Sequence, residues 1–194
     1  MSALLMVLFA YLLGSIPTGF LLGSLSRVDI RKAGSGNIGA TNVARVVGWR
    51  QGLVTLLGDV GKGFIPAFLA LQLGFGPWIV SLVGLAAFVG HLYPIFLRFH
   101  GGKGVATALG VLLGLAPLAA LLLLFVFFLV AVVSRVVSLA SLAAAALIPI
   151  VLWLVSYPPP LIGLGLAIAL GIIVRHRENI QRLILGVEPR FHFG

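Results

Sequence analysis

The chain has 194 residues, of which 61% are hydrophobic and 9% are charged, and its net charge is +9. These few polar residues cannot cover the surface of a soluble domain of this size. The composition therefore excludes a soluble globular protein and predicts an integral membrane protein. There is no cysteine, which excludes disulfides, thiolate metal sites and a cysteine nucleophile.

The basic residues are concentrated beside the apolar stretches. Twelve of the thirteen Lys and Arg residues lie in four segments, which are 27–50, 98–103, Arg135 and 175–190. This pattern is typical of the positive-inside rule, and basic residues at a bilayer surface also attract anionic headgroups or substrates. We therefore expect all four segments on the cytoplasmic face, and we expect no nucleic-acid partner.

Five apolar stretches are predicted to cross the membrane, because a span needs about 20 apolar residues. They are residues 3–25, 52–73, 78–97, 136–155 and 161–174, of which the last is short but runs directly into a basic residue. The first stretch has neither a basic beginning nor a small-residue cleavage site, so we expect it to be a retained span. Pro17 predicts a kink within it, and the surrounding segment 14–19 (GSIPTG) favours close helix packing through small residues.

Residues 104–133 are too long for a single span. One helix of these 30 residues would be about 45 Å long, against a hydrocarbon core of about 30 Å. The connections 74–77 and 156–160 carry no Lys or Arg and are expected outside. Lys103 and Arg135 then lie on the same side, so the chain between them crosses an even number of times.

The predicted fold class is an all-α integral membrane protein with seven transmembrane helices. Two of these helices are short and form a hairpin at Pro117, and the length indicates one polytopic domain over residues 1–194. The N-terminus is expected outside and the C-terminus in the cytoplasm. A re-entrant loop in place of the hairpin would satisfy the same parity with five full spans.

A first polar cluster occupies residues 33–45 and contains G-x-G-x-x-G at Gly34, Gly36 and Gly39. No strand precedes it, so it is not a dinucleotide fingerprint, but glycines let backbone N–H groups approach an anion closely. The neutral donors here are Ser35, Asn37, Thr41 and Asn42, and Arg45 is a bidentate phosphate ligand. The cluster predicts an anion site, and its alternative is a flexible polar loop.

A second cluster holds Gly101, Gly102, Lys103, Gly104 and Thr107. Its spacing is not that of a Walker A motif, but glycines, a lysine and a helix that begins near Gly104 form a favourable setting for an anion. The alternative is a tight turn at the end of a span.

A third cluster covers residues 175–183. If the last helix continues, Arg175, Glu178, Asn179 and Arg182 share one face. The arginines alone fit positive-inside flanking sequence, whereas His176 and Asn179 are not needed for it.

Two smaller signals lie inside predicted spans. Asp59 and Lys62 are three residues apart and can pair, either for function or as a structural lock of one helix. Ser141 follows Arg135 by six residues and either reaches a cytoplasmic cavity or packs between helices.

Together these motifs resemble the bacterial acyl-phosphate:glycerol-3-phosphate acyltransferase family, often called PlsY. The matching stretches are GSIPTG (14–19), GSGNIGATNVAR (34–45), DVGKG (59–63), GHLYP (90–94), GGKGVAT (101–107), SLASL (138–142) and RHRENIQRLILG (175–186). They occur in the family's order over nearly the whole chain. One departure is His100, which stands where a lysine often precedes the Gly-Gly pair.

The resemblance implies transfer of a fatty acyl group from acyl phosphate to the 1-hydroxyl of sn-glycerol-3-phosphate. The products are lysophosphatidic acid and phosphate, in the first acylation of bacterial phospholipid synthesis. It implies a multi-pass protein of the bacterial cytoplasmic membrane with its site on the cytoplasmic face. We expect no cofactor and predict no metal-binding residues, and the sequence leaves metal dependence open. Its expected partners are the two substrates and the lipid bilayer, with the soluble enzyme that makes acyl phosphate as a further candidate.

We hypothesise direct attack of the glycerol hydroxyl on the acyl carbonyl, because no Ser–His–acid arrangement is evident. The predicted catalytic residues are Ser35, Lys103 and His176, and the predicted substrate-binding residues are Asn37, Asn42, Arg45, Gly101, Gly102, Gly104, Thr107, Ser141 and Asn179. Donors from 101–104 would stabilise the oxyanion. The general base is either His176 or the substrate's own phosphate.

A small anion transporter or channel is the competing class, since an intramembrane ion pair and kinked helices suit one. Against it, no inverted repeat is visible, and the outer face has no matching polar cluster.

Overall fold

The structure is a computed structural model that describes residues 2–191. Within that range it is all-helical and divides into two compact units, one up to Leu115 and one from Ala116 onward. The helices of the first unit are α1 (Ala3–Gly14), α2 (Thr18–Leu25), α3 (Ala40–Val46), α4 (Trp49–Gln72), α5 (Pro77–Leu92), a short 3₁₀ helix (Ile95–Leu97) and α6 (Val105–Leu115).

The first predicted span is broken where the sequence places a proline. Helix α1 ends at Gly14 and α2 begins at Thr18, because Pro17 has no N–H to continue the ladder. The predicted kink at Pro17 is therefore confirmed.

Small residues let the helices of the first unit approach closely. Helix α1 packs against α5, and α4 packs against α6. A side chain at Gly14 would collide with the carbonyl of Ala87, and one at Gly63 would collide with the carbonyl of Thr107. Such contacts are typical of membrane helix pairs and confirm close packing at the beginning of the GSIPTG segment.

The second unit contains α7 (Pro117–Ser134), α8 (Val137–Leu154), α9 (Pro159–Arg175) and α10 (Arg177–Ile184), with α8 packed against both α7 and α9. Helices α9 and α10 meet at an angle of 61°. The last helix does not continue straight, so the condition under which Arg175, Asn179 and Arg182 would share one face is not met. The apolar helix ends at His176, where the sequence turns polar and the chain bends.

The predicted division of residues 104–133 is confirmed, but its two arms are unequal. Helix α6 has 11 residues and α7 has 18, so they are about 16 Å and 27 Å long. Among residues 2–191, five helical segments are long and apolar enough to cross a membrane, or six if the bent α9–α10 pair counts as one. Helix α6, with 11 residues, is too short to be counted among these spans.

Within each unit, basic segments far apart in sequence lie at the same end. Arg31 and Arg98 line one cavity in the first unit. In the second unit the Phe191 N–H donates to the Arg135 carbonyl at 2.9 Å. The charge distribution predicts that the basic segments lie on one side, and these contacts agree with that prediction inside each unit.

The C-terminal segment of the second unit is held by Glu188, for which the sequence predicted no role. Its carboxylate accepts hydrogen bonds from Ser138 Oγ at 2.6 Å, from Asn179 Nδ2 at 2.5 Å and from Arg182 Nε at 2.6 Å. The Glu188 side chain is only 8% exposed. One carboxylate therefore ties the segment after α10 to the beginning of α8 and orients the Asn179 amide.

The Glu188 contacts predict a pH-dependent stability. Burial alone raises the pKa of Glu188, but the hydrogen bonds from Ser138, Asn179 and Arg182 outweigh it, so the pKa lies below its ordinary value. A depressed folded-state pKa gives stability that is present above the unfolded value of about 4.3 and is lost as pH falls through the folded value. We expect wild-type protein to unfold at a higher temperature than Glu188→Gln in detergent at neutral pH. The difference should shrink below about pH 4, and a constant difference over the whole range would contradict this account.

Candidate active site

The first polar cluster is organised around Asn42, which is buried in the first turn of α3. Its Nδ2 donates to the carbonyls of Ile30, Ala33 and Asn37 at 3.2, 3.1 and 2.9 Å. Its Oδ1 accepts from the Ser35 N–H at 2.9 Å. An amide has two hydrogens, so three carbonyls already share them. Asn42 therefore folds the loop, and its contact with substrate stays a prediction.

The glycines of this cluster allow the loop to fold around the Asn42 side chain. Gly34 and Gly36 have φ values of +59° and +69°, which non-glycine residues rarely adopt. A Cβ at Gly34 would collide with Asn42 Oδ1. Asn37 Oδ1 accepts from the Gly39 N–H at 2.8 Å, an Asx turn that leads into α3. Asn37 therefore also shapes the loop.

Ser35 and Arg45 are the members of the cluster whose side chains face outward. Both are exposed, and neither the Ser35 hydroxyl nor the Arg45 guanidinium has a hydrogen-bond or ion-pair partner among residues 2–191. A hydroxyl and a fork of guanidinium donors on a fixed loop suit a phosphate group.

The second cluster is held to the end of α5 by its first two glycines. The Gly101 N–H donates to the Leu92 carbonyl and the Gly102 N–H to the His91 carbonyl, both at 3.2 Å. These two N–H groups thus satisfy carbonyls at the end of a helix, and their part in stabilising an oxyanion stays a prediction. Lys103, which follows them, is half-buried.

Gly104 and Thr107 belong to the packing of α6. Gly104 has a φ of +85°, and a side chain there would meet the ring of Phe88. Thr107 is fully buried, its carbonyl lies against Gly63 of α4, and its hydroxyl has no hydrogen-bond partner in the described part of the chain. Both residues position Lys103 through the start of α6, and a direct substrate contact stays a prediction.

A cationic cavity of about 600 Å³ joins the two clusters of the first unit. Its lining residues are Arg31, Lys32, Gly36, Ile38, Leu97, Arg98, His100 and Gly101. None of the cations among them was predicted individually as a site residue from the sequence. Arg31 is paired with Asp29 at 2.9 Å. Lys32 and Arg98 have no ion-pair partner within residues 2–191, so the cavity has excess positive charge.

The loop that carries Arg98 has an unusual backbone. Arg98 and Phe99 both have positive φ, +50° and +64°, a conformation that is uncommon for non-glycine residues. His100 Nδ1 lies 2.7 Å from the Arg98 carbonyl and holds the turn. Such a backbone persists only where surrounding contacts determine it, so the position of Arg98 at the cavity is fixed.

In the second unit, His176 lies at the bend between α9 and α10 and is only 3% exposed. Its Nδ1 is 2.8 Å from the Ile172 carbonyl. A carbonyl only accepts, so Nδ1 carries the hydrogen, and Nε2 is the acceptor nitrogen of the neutral ring. This is the form that a proton acceptor requires.

Asn179 and Ser141 differ in what the structure shows of them. The Asn179 amide donates to Glu188, which fixes which way the side chain points. Ser141 is buried, and its Oγ donates to the Val137 carbonyl at 2.9 Å, the ordinary bond of a serine within a helix. Ser141 therefore fits the packing alternative better than a site in the cavity.

No set of three or more His, Asp or Glu side chains within residues 2–191 could hold a metal ion.

Comparison with known proteins covers nearly the whole chain. Residues 4–186 match the family model described as glycerol-3-phosphate acyltransferase. A glycerol-3-phosphate acyltransferase of Geobacter metallireducens is 61% identical over 97% of each chain, and that of Geobacter sulfurreducens is 53% identical over 98% of each. That of Aquifex aeolicus is 46% identical over 98% of this chain and 100% of its own.

Two crystal structures of PlsY (YgiH), described as an integral membrane glycerol 3-phosphate acyltransferase, have the same fold. The glycerol 3-phosphate form has a TM-score of 0.96 at 46% identity, and it covers 99% of this chain and 96% of its own. The lysophosphatidic acid form has a TM-score of 0.93 at 45% identity, with the same coverage. The cluster positions predicted from sequence lie within these matched lengths, and the chain belongs to the glycerol-3-phosphate acyltransferase family.

Proposed function

We propose that this protein is a membrane acyltransferase that moves a fatty acyl group from acyl phosphate to the 1-hydroxyl of sn-glycerol-3-phosphate. The observation that carries the proposal is the full-length likeness to an enzyme crystallised in glycerol 3-phosphate and lysophosphatidic acid forms. Those two ligands are a substrate and the product of the proposed reaction.

The charge distribution of the first unit supports this chemistry. Both substrates carry phosphate, and the cavity concentrates the cations of Arg31, Lys32 and Arg98. Outward-facing Ser35 belongs to the loop that supplies Gly36 to the same cavity, and outward-facing Arg45 lies in α3, which follows that loop. An electropositive concave surface raises the local concentration of anionic substrates.

The proposed reaction is a direct transfer. The 1-hydroxyl oxygen attacks the acyl carbonyl carbon, the bond from that carbon to the phosphate oxygen breaks, and the hydroxyl proton passes to a base. The acyl phosphate is already activated, because phosphate is a good leaving group, so the step needs no protein nucleophile. The enzyme's contribution is positioning and charge stabilisation.

Within this scheme the residues of the first unit divide into two groups. Ser35, Arg45 and Lys103 hold phosphate groups, and Lys103 also stabilises negative charge that develops on the carbonyl and leaving oxygens. Asn42 and Asn37 act indirectly, by fixing the loop from which Ser35 projects. Gly101 and Gly102 act in the same indirect way on the loop that carries Lys103.

Residues of the second unit act on glycerol-3-phosphate. The acceptor Nε2 of His176 suits the orientation of a substrate hydroxyl or the removal of its proton. Asn179, held by Glu188, orients the same substrate. The phosphate dianion of the substrate is the alternative base.

The proposal includes a placement in the bacterial cytoplasmic membrane. Seven crossings put the N-terminus outside and the C-terminus in the cytoplasm, with α6 as a short crossing and both units in one catalytic domain. The shared ends of the basic segments within each unit support this arrangement, since basic loops favour the cytoplasmic side. The soluble enzyme that makes acyl phosphate would then meet the cationic face.

A direct test uses purified protein in detergent micelles with acyl phosphate and glycerol-3-phosphate. We expect phosphate release together with lysophosphatidic acid, above the spontaneous hydrolysis measured without glycerol-3-phosphate. Micelles have no inside and outside, so an anion transporter or channel gives no signal. Absence of product from folded protein would reject the acyltransferase proposal.

The role of His176 can be separated from that of Lys103. If His176 is the base, His176→Ala lowers kcat by about 10² to 10⁴-fold and removes the acid limb of the pH–rate profile. Lys103→Ala loses turnover under either version. Arg50→Gln, which removes an exposed cation that lies over Trp49, is the control for loss of charge.

Near-normal turnover in His176→Ala together with an inactive Lys103→Ala would reject His176 as the base and leave the substrate phosphate in that role. A covalent acyl group trapped on Ser35 or Ser141 would refute direct transfer altogether.

A further inference from the structure

A buried polar cluster inside the first unit has no part in the chemistry proposed so far. Asp59 and Lys62 lie one turn apart on α4, and Lys62 Nζ is 2.8 Å from Asp59 Oδ1. His91 of α5 places Nδ1 3.7 Å from the same oxygen. The three side chains are only 3–4% exposed, on helices apolar enough to cross a membrane.

The cluster extends to the break in the first span. Lys62 Nζ also donates to the Ile16 carbonyl at 2.9 Å, between α1 and α2. Pro17 interrupts the helical ladder at this point, and the Ile16 carbonyl also accepts the Thr18 N–H at 3.1 Å. The Lys62 ammonium adds a second hydrogen bond to this carbonyl, so the charge pair ties α4 to the break.

The cluster also extends to the loop that carries Lys103. The His91 carbonyl accepts the Gly102 N–H, and a Cβ at Gly102 would collide with His91 Nε2. The His91 ring therefore lies directly against the main chain at Gly102, one residue before Lys103. A change in the ring position would move this loop.

A lock within a single helix would need only Asp59 and Lys62. Here the two charges also contact groups on other elements, the Ile16 carbonyl at the break and the His91 ring at the end of α5. Burial of a charge pair is costly, and an apolar pair of similar volume often stabilises a protein as well or better. Stability alone therefore does not account for these three groups.

We propose that Asp59, Lys62 and His91 are positioning residues that set the geometry of the Lys103 loop. This deepens the proposed acyltransferase function and rests on it. Asp59 Oδ1 lies 3.7 Å from Nδ1 on one side of the His91 ring, and the other side of the ring packs against Gly102. Lys62 balances the charge of Asp59 and anchors the cluster to the broken span, so none of the three needs to touch substrate.

Replacement of the pair by apolar residues separates positioning from stability. Asp59→Leu and Lys62→Met each leave one buried charge without its partner, and both single variants should unfold at lower temperature. The double variant Asp59→Leu/Lys62→Met removes both charges, so it should recover most of the lost unfolding temperature. Its kcat should nevertheless stay about 10²-fold below wild type, because His91 has lost the group that holds it.

The His91 side chain offers a second comparison that does not depend on the double variant folding. His91→Gln keeps a donor that can reach Asp59, whereas His91→Leu keeps volume alone. If the two variants unfold at similar temperatures, His91→Gln should retain a higher kcat than His91→Leu. Gly61→Ala is the control on α4, since a Cβ there meets no atom within 4 Å.

The experiment measures unfolding temperature in detergent, kcat, and KM for both substrates in each variant. Wild-type kcat in a stable double variant, or equal turnover of the Gln and Leu variants, would overturn the proposal and leave a structural lock. Inactive wild-type protein would reject the acyltransferase function instead, so the two failures are distinguishable.

Discussion

The structure depends on hydrogen bonds from polar side chains to main-chain carbonyls where apolar helices end or break. In hydrocarbon an unsatisfied backbone group costs several kcal/mol, so each break needs an internal partner. The Ile16 carbonyl accepts both the Thr18 N–H and Lys62 Nζ, and the Ile172 carbonyl accepts the His176 N–H and lies 2.8 Å from His176 Nδ1. At the polar loop before α3, Asn42 gathers three carbonyls in the same way.

This constraint explains why some residues that were predicted to bind substrate also have structural tasks in the folded chain. Asn42, Gly101 and Gly102 use their donors on the protein itself. Ser35 projects from a loop that is already shaped, and Arg45 projects from helix α3, which follows it. An anion that meets such a loop need not order it first, which lowers the cost of binding. The fixed loops and the exposed cations therefore act together in binding an anion.

Much of the fold could be predicted from sequence because its causes are local. Runs of apolar residues define spans, and Pro17 and Pro117 mark breaks because proline cannot continue a helical ladder. The bend at His176 was missed, since i, i+3 spacing assumes a continuous helix. Glu188 was missed because its three donors come from Ser138, Asn179 and Arg182, which no sequence period connects. Asn42 was recognised as special, but which of its partners are carbonyls of its own loop depends on the tertiary path.

The central claim is that Asn42 builds the phosphate-facing loop from within, and hydrogen–deuterium exchange tests it most directly. The measurement compares wild type, Asn42→Ala and Arg45→Gln in detergent without substrate. The account predicts faster amide exchange over residues 30–39 in Asn42→Ala, including the Ser35 N–H, and unchanged exchange there in Arg45→Gln. Unchanged exchange in an inactive Asn42→Ala would contradict the account and make Asn42 a direct ligand of substrate.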